Sequence, residues 1–283
     1  MIPVQFSYTA PSTVEEAVVA LATAGEDAKV LAGGQSLLPV LRMRLADPET
    51  VLDIGRIPEM RGIREDGDHV VIGAMTTHYD VAADPLVQQH CELIALATRT
   101  VADPQVRHRG TFGGSLAHAD PAGDLPAPAL VLDAEMVLAG PSGRRTVPAA
   151  DFFVDYFTTA LEPGELLVEV RVPKWTGWKA RYEKFNQIAQ AWSIVGVAAA
   201  VRVDGDSIAE ARIGLTNMGA TPIRARGVEQ ALVGQPATAE AIRSAAAHAA
   251  EGTSPASDAG ADADYREHLA TVLTGRAVQA ACG

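Results

Sequence analysis

Two short stretches of this chain set paired glycines among hydroxyl side chains: Ala32-Gly33-Gly34-Gln35-Ser36 and Thr111-Phe112-Gly113-Gly114-Ser115. A Gly-Gly pair lets backbone amides approach an anion closely, because no Cβ stands in the way and positive φ carries no steric penalty. Successive N–H groups turned inward form a concave site of the kind that holds phosphate. Ser36, Thr111 and Ser115 would add side-chain hydrogen bonds to phosphate oxygens. Two such turns, far apart in the chain, suit one diphosphate gripped from two sides. Neither stretch fits G-x-G-x-x-G or G-x-x-x-x-G-K-[ST], which leaves dinucleotide binding by a different fold. For the second stretch alone, a tight turn followed by a capped helix explains the residues equally well.

Just beyond the second stretch, Asp120-Pro121-Ala122-Gly123-Asp124 supplies two carboxylates that would accept from sugar-type hydroxyls. N-capping of the helix entering residues 125–132 is the alternative for both, and of equal weight for Asp120. His118 with these two aspartates falls short of a metal set, since only one histidine is local and no thiolate is near. H-E-x-x-H, G-x-S-x-G and C-x-x-C are all missing from the sequence. His69, His78, His90, His108, His248 and His268 have no evident catalytic companions and read as surface or turn residues.

The elements that must position these stretches follow from apolar pattern and turn residues. Ser12-Thr13-Val14-Glu15 matches a capping box, and a helix continues through the apolar run to Gly25. A strand over 29–32, the first glycine stretch and a strand over 50–54 close a small α/β unit by about residue 55. A strand over 69–74 and helices over 77–83 and 85–99 precede the second glycine stretch. A helix over about 124–132, a hairpin over 136–148 and an alternating strand over 165–172 follow it. Residues 174–178 are the best boundary, because strands over 179–187, 193–204 and 207–217 and then helices over 222–232, 238–250 and 262–279 form an α+β pattern. Residues 251–264, rich in Gly, Ala, Ser and Asp, read as a flexible connector. The expected division is 1–55 and 56–173 as two lobes, with 174–283 as a C-terminal domain.

Composition narrows the function. With 283 residues, 48% hydrophobic and 20% charged, the chain is long enough for two or three proper cores. A net charge of −12 argues against nucleic acid and against docking on an anionic membrane. No apolar run approaches the ~20 residues of a membrane span, and the first residues show no basic leader followed by an apolar core. Cytoplasm is the expected location. Cys91 and Cys282 are the only cysteines and lie far apart, so no disulfide is expected. An iron–sulfur cluster typically takes four cysteine ligands, which this chain lacks. Any such cluster serving it must sit on another polypeptide.

The two glycine stretches, with Asp120-Pro121-Ala122-Gly123-Asp124 following, resemble the flavin subunits of the molybdenum hydroxylases, and most of all their carbon monoxide dehydrogenase branch. The resemblance spans essentially the whole chain. It implies an α+β fold: a two-lobed FAD-binding domain of the vanillyl-alcohol-oxidase/PCMH type, then a small α+β C-terminal domain. It implies non-covalent FAD held by Leu31, Ala32, Gly33, Gly34, Gln35, Ser36 and Leu37, and by Gly110, Thr111, Gly113, Gly114, Ser115, His118, Asp120 and Asp124. Val101 and Ala102 match a segment packing against the flavin ring, and Leu166, Lys184 and Trp192 match further flavin-contacting positions. Lys184 would stabilise negative charge on the reduced pyrimidine, and Trp192 would stack near the isoalloxazine unless it is simply core. Ser115 stands where many relatives carry Asn, a small departure because both groups donate and accept. No residue of this chain is expected to catalyse substrate chemistry. The implied partners are a large subunit with the molybdenum cofactor and a small subunit with two [2Fe–2S] clusters, in a dimer of heterotrimers that reduces a quinone or another acceptor. Nicotine-, quinoline- or purine-type hydroxylases and a free-standing FAD oxidase are the alternatives.

Overall fold

The computed structural model of the chain describes residues 2–283. Its first sheet is parallel and contains β1 (Ser7–Thr9), β2 (Ala28–Leu31) and β3 (Thr50–Asp53) in the order β1-β3-β2. The helix Val14–Ala24 packs over it with Val14, Ala17, Val18 and Leu21 buried, which is the i, i+3, i+4, i+7 stripe of an amphipathic helix. Its capping box lies one residue later than the sequence suggested. Thr13 accepts from the Glu16 N–H at 3.1 Å, and the Glu16 carboxylate accepts from the Ser12 N–H at 2.9 Å. Gly25, with φ of +73°, ends the helix in a conformation that favours glycine.

The second sheet contains β4 (Ile63–Asp66), β5 (His69–Gly73), β6 (Glu135–Gly140) and β7 (Gly143–Pro148). A small separate hairpin, β8 (Phe153–Asp155) and β9 (Thr158–Thr159), precedes the central strand β10 (Leu166–Pro173). The order is β4-β5-β10-β6-β7 and every pairing is antiparallel. The register of β10 on β6 shifts between Leu167 and Glu169. Such a bulge re-aims the side chains beside it.

The third sheet runs β11 (Lys179–Phe185), β12 (Val195–Asp204), β13 (Ser207–Thr216) and β14 (Ile223–Arg224), antiparallel and in that order. Side chains along β12 alternate between two cores, as a strand's period of two requires. Val197, Ala199 and Val201 face the core formed with helices Arg226–Leu232, Ala239–Ala246 and Ala263–Cys282. Ala198 and Ala200, with Tyr182, join the core of the preceding sheets. One strand therefore clamps the C-terminal unit onto the rest.

No sheet crosses residue 174 among the described residues, yet residues 174–178 are firmly held. The Trp175 and Trp178 rings meet edge to face at 4.5 Å, and Trp175 Nε1 donates to the Leu132 carbonyl at 3.0 Å. Residues 251–264 likewise are tied down, in contrast to the flexible connector expected from composition. Asp258 accepts from the Gly260 and Ala261 amides and from Arg266, and the Ser254 N–H donates to the Met218 carbonyl at 2.9 Å. Small polar residues serve here as turn-makers, with the buried Arg266 guanidinium as the anchor. The last helix runs three residues past its expected end, to Cys282. No helix of the described residues is long and apolar enough to cross a membrane.

Candidate functional site

The first glycine stretch leaves the C-terminal end of β2 and turns into the helix Leu37–Arg42. Gly34 has φ of +75°, where a side chain would be strained. The amides of Gly33, Gly34, Gln35 and Ser36 donate to no protein acceptor among the described residues. Free amides on consecutive residues of a tight turn are what a concave anion site requires.

The second stretch is built differently. Gly113 and Gly114 lie in the first turn of the helix Phe112–His118, and neither has positive φ. Thr111 caps that helix by accepting from the Gly114 N–H at 3.2 Å. The Gly113 N–H donates to the Ala74 carbonyl at 2.9 Å and the Ser115 N–H to the Thr111 carbonyl at 3.0 Å. These amides are therefore committed within the protein, in contrast to the free amides expected on this stretch. The glycines serve close packing instead. A Cβ on Gly113 would lie 2.4 Å from the Ala74 Cβ, and one on Gly33 would lie 2.3 Å from the Arg109 carbonyl oxygen. The first stretch thus touches, backbone to backbone, Arg109 and Gly110, which lead into the second.

Between them and the third sheet lies a cavity of about 650 Å³, within the ~300–1,000 Å³ usual for small-molecule sites. Ala32, Gly33, Gly34, Gln35, Ser36 and Leu37 line it from one side. Gly110, Thr111, Gly113, Gly114, Ser115, His118, Asp120 and Asp124 line it from another, and Val101, Ala102, Leu166, Lys184 and Trp192 complete the wall. Leu31 is the exception: it backs the first stretch, its Cδ1 3.2 Å from where a Gly34 Cβ would sit. Leu166 and Leu167, the first two residues of β10, both line the cavity, just before the register shift of that strand. Ala102 holds φ of +41°, and its carbonyl and that of Val101 accept from Arg107 at 3.1 and 2.8 Å.

Asp124 is 4% exposed and already has three donors. Tyr182 Oη at 2.9 Å and Ser193 Oγ at 2.8 Å donate to its Oδ1, and Lys184 Nζ donates to Oδ2 at 2.8 Å. Burial pushes the Asp124 pKa up, and Lys184, Ser193 and Tyr182 oppose that shift. Burial and the Asp124 charge push the Tyr182 phenol well up. Lys184 also donates to the Thr100 carbonyl at 3.2 Å, so its charge at the cavity wall is compensated rather than free. Neither aspartate caps the helix Pro126–Val131, which has no side-chain cap; Asp120 accepts from the Ala122 N–H at 2.9 Å. Trp192 is 54% exposed at the cavity rim, so it is not core.

Sequence reasoning missed several wall residues, among them Met75, His78, Phe157, Leu161 and Gln190. They come from separate elements, and no local pattern marks them. His78, which the sequence suggests is a surface or turn residue, is instead 4% exposed at the start of a helix. Its start-of-helix position resembled any polar cap until the fold laid Gly110 over it. Phe157, at φ of +52°, tilts against His118 with ring centroids 5.2 Å apart, and burial lowers the His118 pKa against the pull of Asp120.

Two family descriptions match this chain. Residues 4–175 match the FAD binding domain in molybdopterin dehydrogenase, and residues 180–281 match the CO dehydrogenase flavoprotein C-terminal domain. The chain is 47% identical over 284 residues to the carbon monoxide dehydrogenase medium chain of Hydrogenophaga pseudoflava, covering 99% of this chain and 98% of that one. A solved carbon monoxide dehydrogenase from the same organism, lacking the Mo-pyranopterin moiety, matches with a TM-score of 0.96 and 48% identity over 99% of this chain and 98% of that one. Quinoline 2-oxidoreductase from Pseudomonas putida 86 also matches with a TM-score of 0.96, at 34% identity over 100% of this chain and 98% of that one.

Proposed function

This chain belongs to the FAD-binding subunits of the molybdopterin dehydrogenases, and we propose from that premise that it is the electron-transfer flavoprotein of a carbon monoxide dehydrogenase. The full-length likeness to a carbon monoxide dehydrogenase medium chain carries the reading. FAD fits the cavity for reasons in the residues themselves: unpaired amides on the first glycine stretch, and walls that are mainly apolar with a few convergent polar groups. When bound, FAD supplies reversible electron transfer between one-electron centres and a terminal acceptor.

The proposed FAD residues are the ones named from sequence. Gly33, Gly34, Gln35 and Ser36 hold the diphosphate through free amides. Thr111, Gly113 and Gly114 seat a helix against that turn, with Ser115, His118 and Asp120 along its exit. Val101, Ala102, Leu166 and Trp192 bound the flavin ring. Lys184 and Asp124 present a fixed ion pair to it, and Leu31 supports the first turn from behind. Residues 1–55, 56–173 and 174–283 are proposed as two FAD lobes and a C-terminal domain.

Oxidation of CO by water to CO2 then occurs on a large partner subunit with a molybdenum cofactor, and a small partner subunit carries the [2Fe–2S] clusters. The two cysteines of this chain, one buried and one half-buried, cannot supply a cluster. We place the complex in the cytoplasm as a dimer of heterotrimers, with a quinone or another acceptor receiving the electrons. The solved quinoline 2-oxidoreductase has the same TM-score, so an N-heterocycle hydroxylase is the second reading.

Anaerobic flavin spectroscopy tests the assignment. Carbon monoxide is expected to bleach the flavin band in the assembled complex and to leave the isolated chain yellow. Bleaching in the isolated chain overturns the electron-transfer role. A complex that is bleached by quinoline or nicotine, but not by carbon monoxide, moves the substrate to the second reading.

A further inference from the structure

His78 has a position that neither the glycine stretches nor the family likeness explains. It begins the helix His78–Ala83, and its own N–H donates to the Gly110 carbonyl at 2.9 Å. Its ring fills the space over Gly110: a Cβ there would lie 2.8 Å from Cδ2 and 3.1 Å from Nε2 of the imidazole. On its other side Gly110 meets the first stretch, because a Cβ on Gly33 would lie 2.7 Å from the Gly110 Cα. The imidazole therefore stands at the place where the two glycine stretches come together, and it lines the cavity.

No protein group bonds to either ring nitrogen among the described residues, although the residue is 4% exposed. Nδ1 is fully enclosed without a partner, whereas Nε2 is not among the enclosed, unpartnered atoms. An enclosed N–H without an acceptor is rarer and costlier than an enclosed lone pair. The favoured tautomer therefore leaves Nδ1 bare and puts the proton on Nε2. Burial, and then the Arg107 charge, lowers the ring's pKa to about 4, so the imidazole is neutral across the physiological range. A buried side chain with its one donor unused, beside a turn of unused amides, implies an acceptor that arrives with the ligand.

We propose that His78 is a cofactor-binding residue whose Nε2–H donates to an oxygen of the FAD diphosphate at the junction of the two glycine stretches. The assignment rests on the FAD reading and adds a neutral donor to its amide cradle. It accounts for Gly110 as well, since any larger residue there would displace the ring.

The test uses His78→Met, which keeps the bulk and removes the donor, and His78→Gln, whose terminal amide carries a donor to a similar reach. Full-length apo chains are titrated with FAD, ADP and riboflavin, with flavin fluorescence or calorimetry as readout, and their melting temperatures are compared. His78→Met is expected to weaken FAD and ADP roughly ten- to a hundredfold, the range for one hydrogen bond to a charged group. Riboflavin binding and apo melting should stay near wild type, and His78→Gln should keep affinity within about threefold, half the logarithmic loss of a tenfold effect. Wild-type affinity in His78→Met, or an equal loss in His78→Gln, overturns the donor role. Weakened riboflavin with unchanged ADP overturns the diphosphate contact. A wild-type chain that takes up no FAD overturns the cofactor reading along with it.

Discussion

Lys184→Met is expected to destabilise the folded chain by about 3–5 kcal/mol, the usual cost of leaving a buried charge without its partner. The Lys184 and Asp124 side chains are 6% and 3% exposed, and their 2.8 Å contact joins strand β11 to the wall beside the second glycine stretch. After the substitution, Asp124 keeps only the Tyr182 and Ser193 hydroxyls. These neutral donors lower the cost of the anion less than an ammonium does. The wild-type Asp124 pKa is already raised by burial, with Lys184 the largest opposing influence, so its loss raises the pKa further.

The sign of the pH effect follows. A folded-state pKa above the unfolded one means that the folded chain binds the proton more tightly. Its stability is then highest below the unfolded value, about 3.9 for Asp, and falls as pH rises through the raised folded value. Urea midpoints at pH 5 and pH 8 should show the deficit of Lys184→Met growing with pH. The double variant Lys184→Met/Asp124→Asn should recover part of the loss, since no buried anion remains. A deficit that is equal at both pH values, or larger at pH 5, would remove the ion pair from this account.

Local chemistry explains which features could be read from the sequence. The helix Val14–Ala24, the hairpin of β6 and β7, and strands β11 to β13 carry periodicity or turn residues that act over a few positions. Sequence therefore located them to within a few residues, because the forces that form them are local. The strand β1 pairs with β3 across more than forty positions of chain, as Ser7 with Thr50, and no local pattern foretells such a partner. The glycine stretches were recognisable, but their roles diverged in the fold. Gly34 does adopt positive φ, whereas Gly113 is glycine because Ala74 leaves no room for a Cβ. Sequence shows that a glycine is needed without showing which of these reasons applies. Asp124 was similarly visible as a carboxylate, while Tyr182 and Ser193 bond to it only after the third sheet folds onto the second. Buried polar networks of this kind depend on tertiary contacts, so their members are scattered along the chain.

Gly33→Ala is expected to abolish stoichiometric FAD binding by one added methyl group. At many other glycines an added Cβ would meet open space or a side chain, but here it would meet backbone: the Arg109 carbonyl oxygen at 2.3 Å and the Gly110 Cα at 2.7 Å. Carbon atoms settle at about 3.5–4.0 Å, so the two stretches must separate by about 1 Å or more. That movement opens the junction over which the free amides of Gly34, Gln35 and Ser36 are arrayed. Cofactor affinity depends steeply on such placement, since each 1.4 kcal/mol lost is about tenfold. Overpacking of this kind typically costs about 1–3 kcal/mol, so the chain should still fold with a lowered melting temperature.

Two other glycines set the scale. A Cβ on Gly114 would lie 2.5 Å from Thr111 Oγ1, a side-chain atom that can rotate away at the expense of the helix cap, so Gly114→Ala should lose less FAD than Gly33→Ala. A Cβ on Gly275, inside the last helix, would meet only the Ala246 Cβ at an ordinary 3.7 Å. Gly275→Ala should therefore retain FAD fully and stabilise the chain by about 0.4–1 kcal/mol. The flavin-to-protein absorbance ratio after gel filtration ranks the three variants. Full flavin content in Gly33→Ala, or a greater loss in Gly114→Ala, would show that contact between the two stretches does not hold the cofactor.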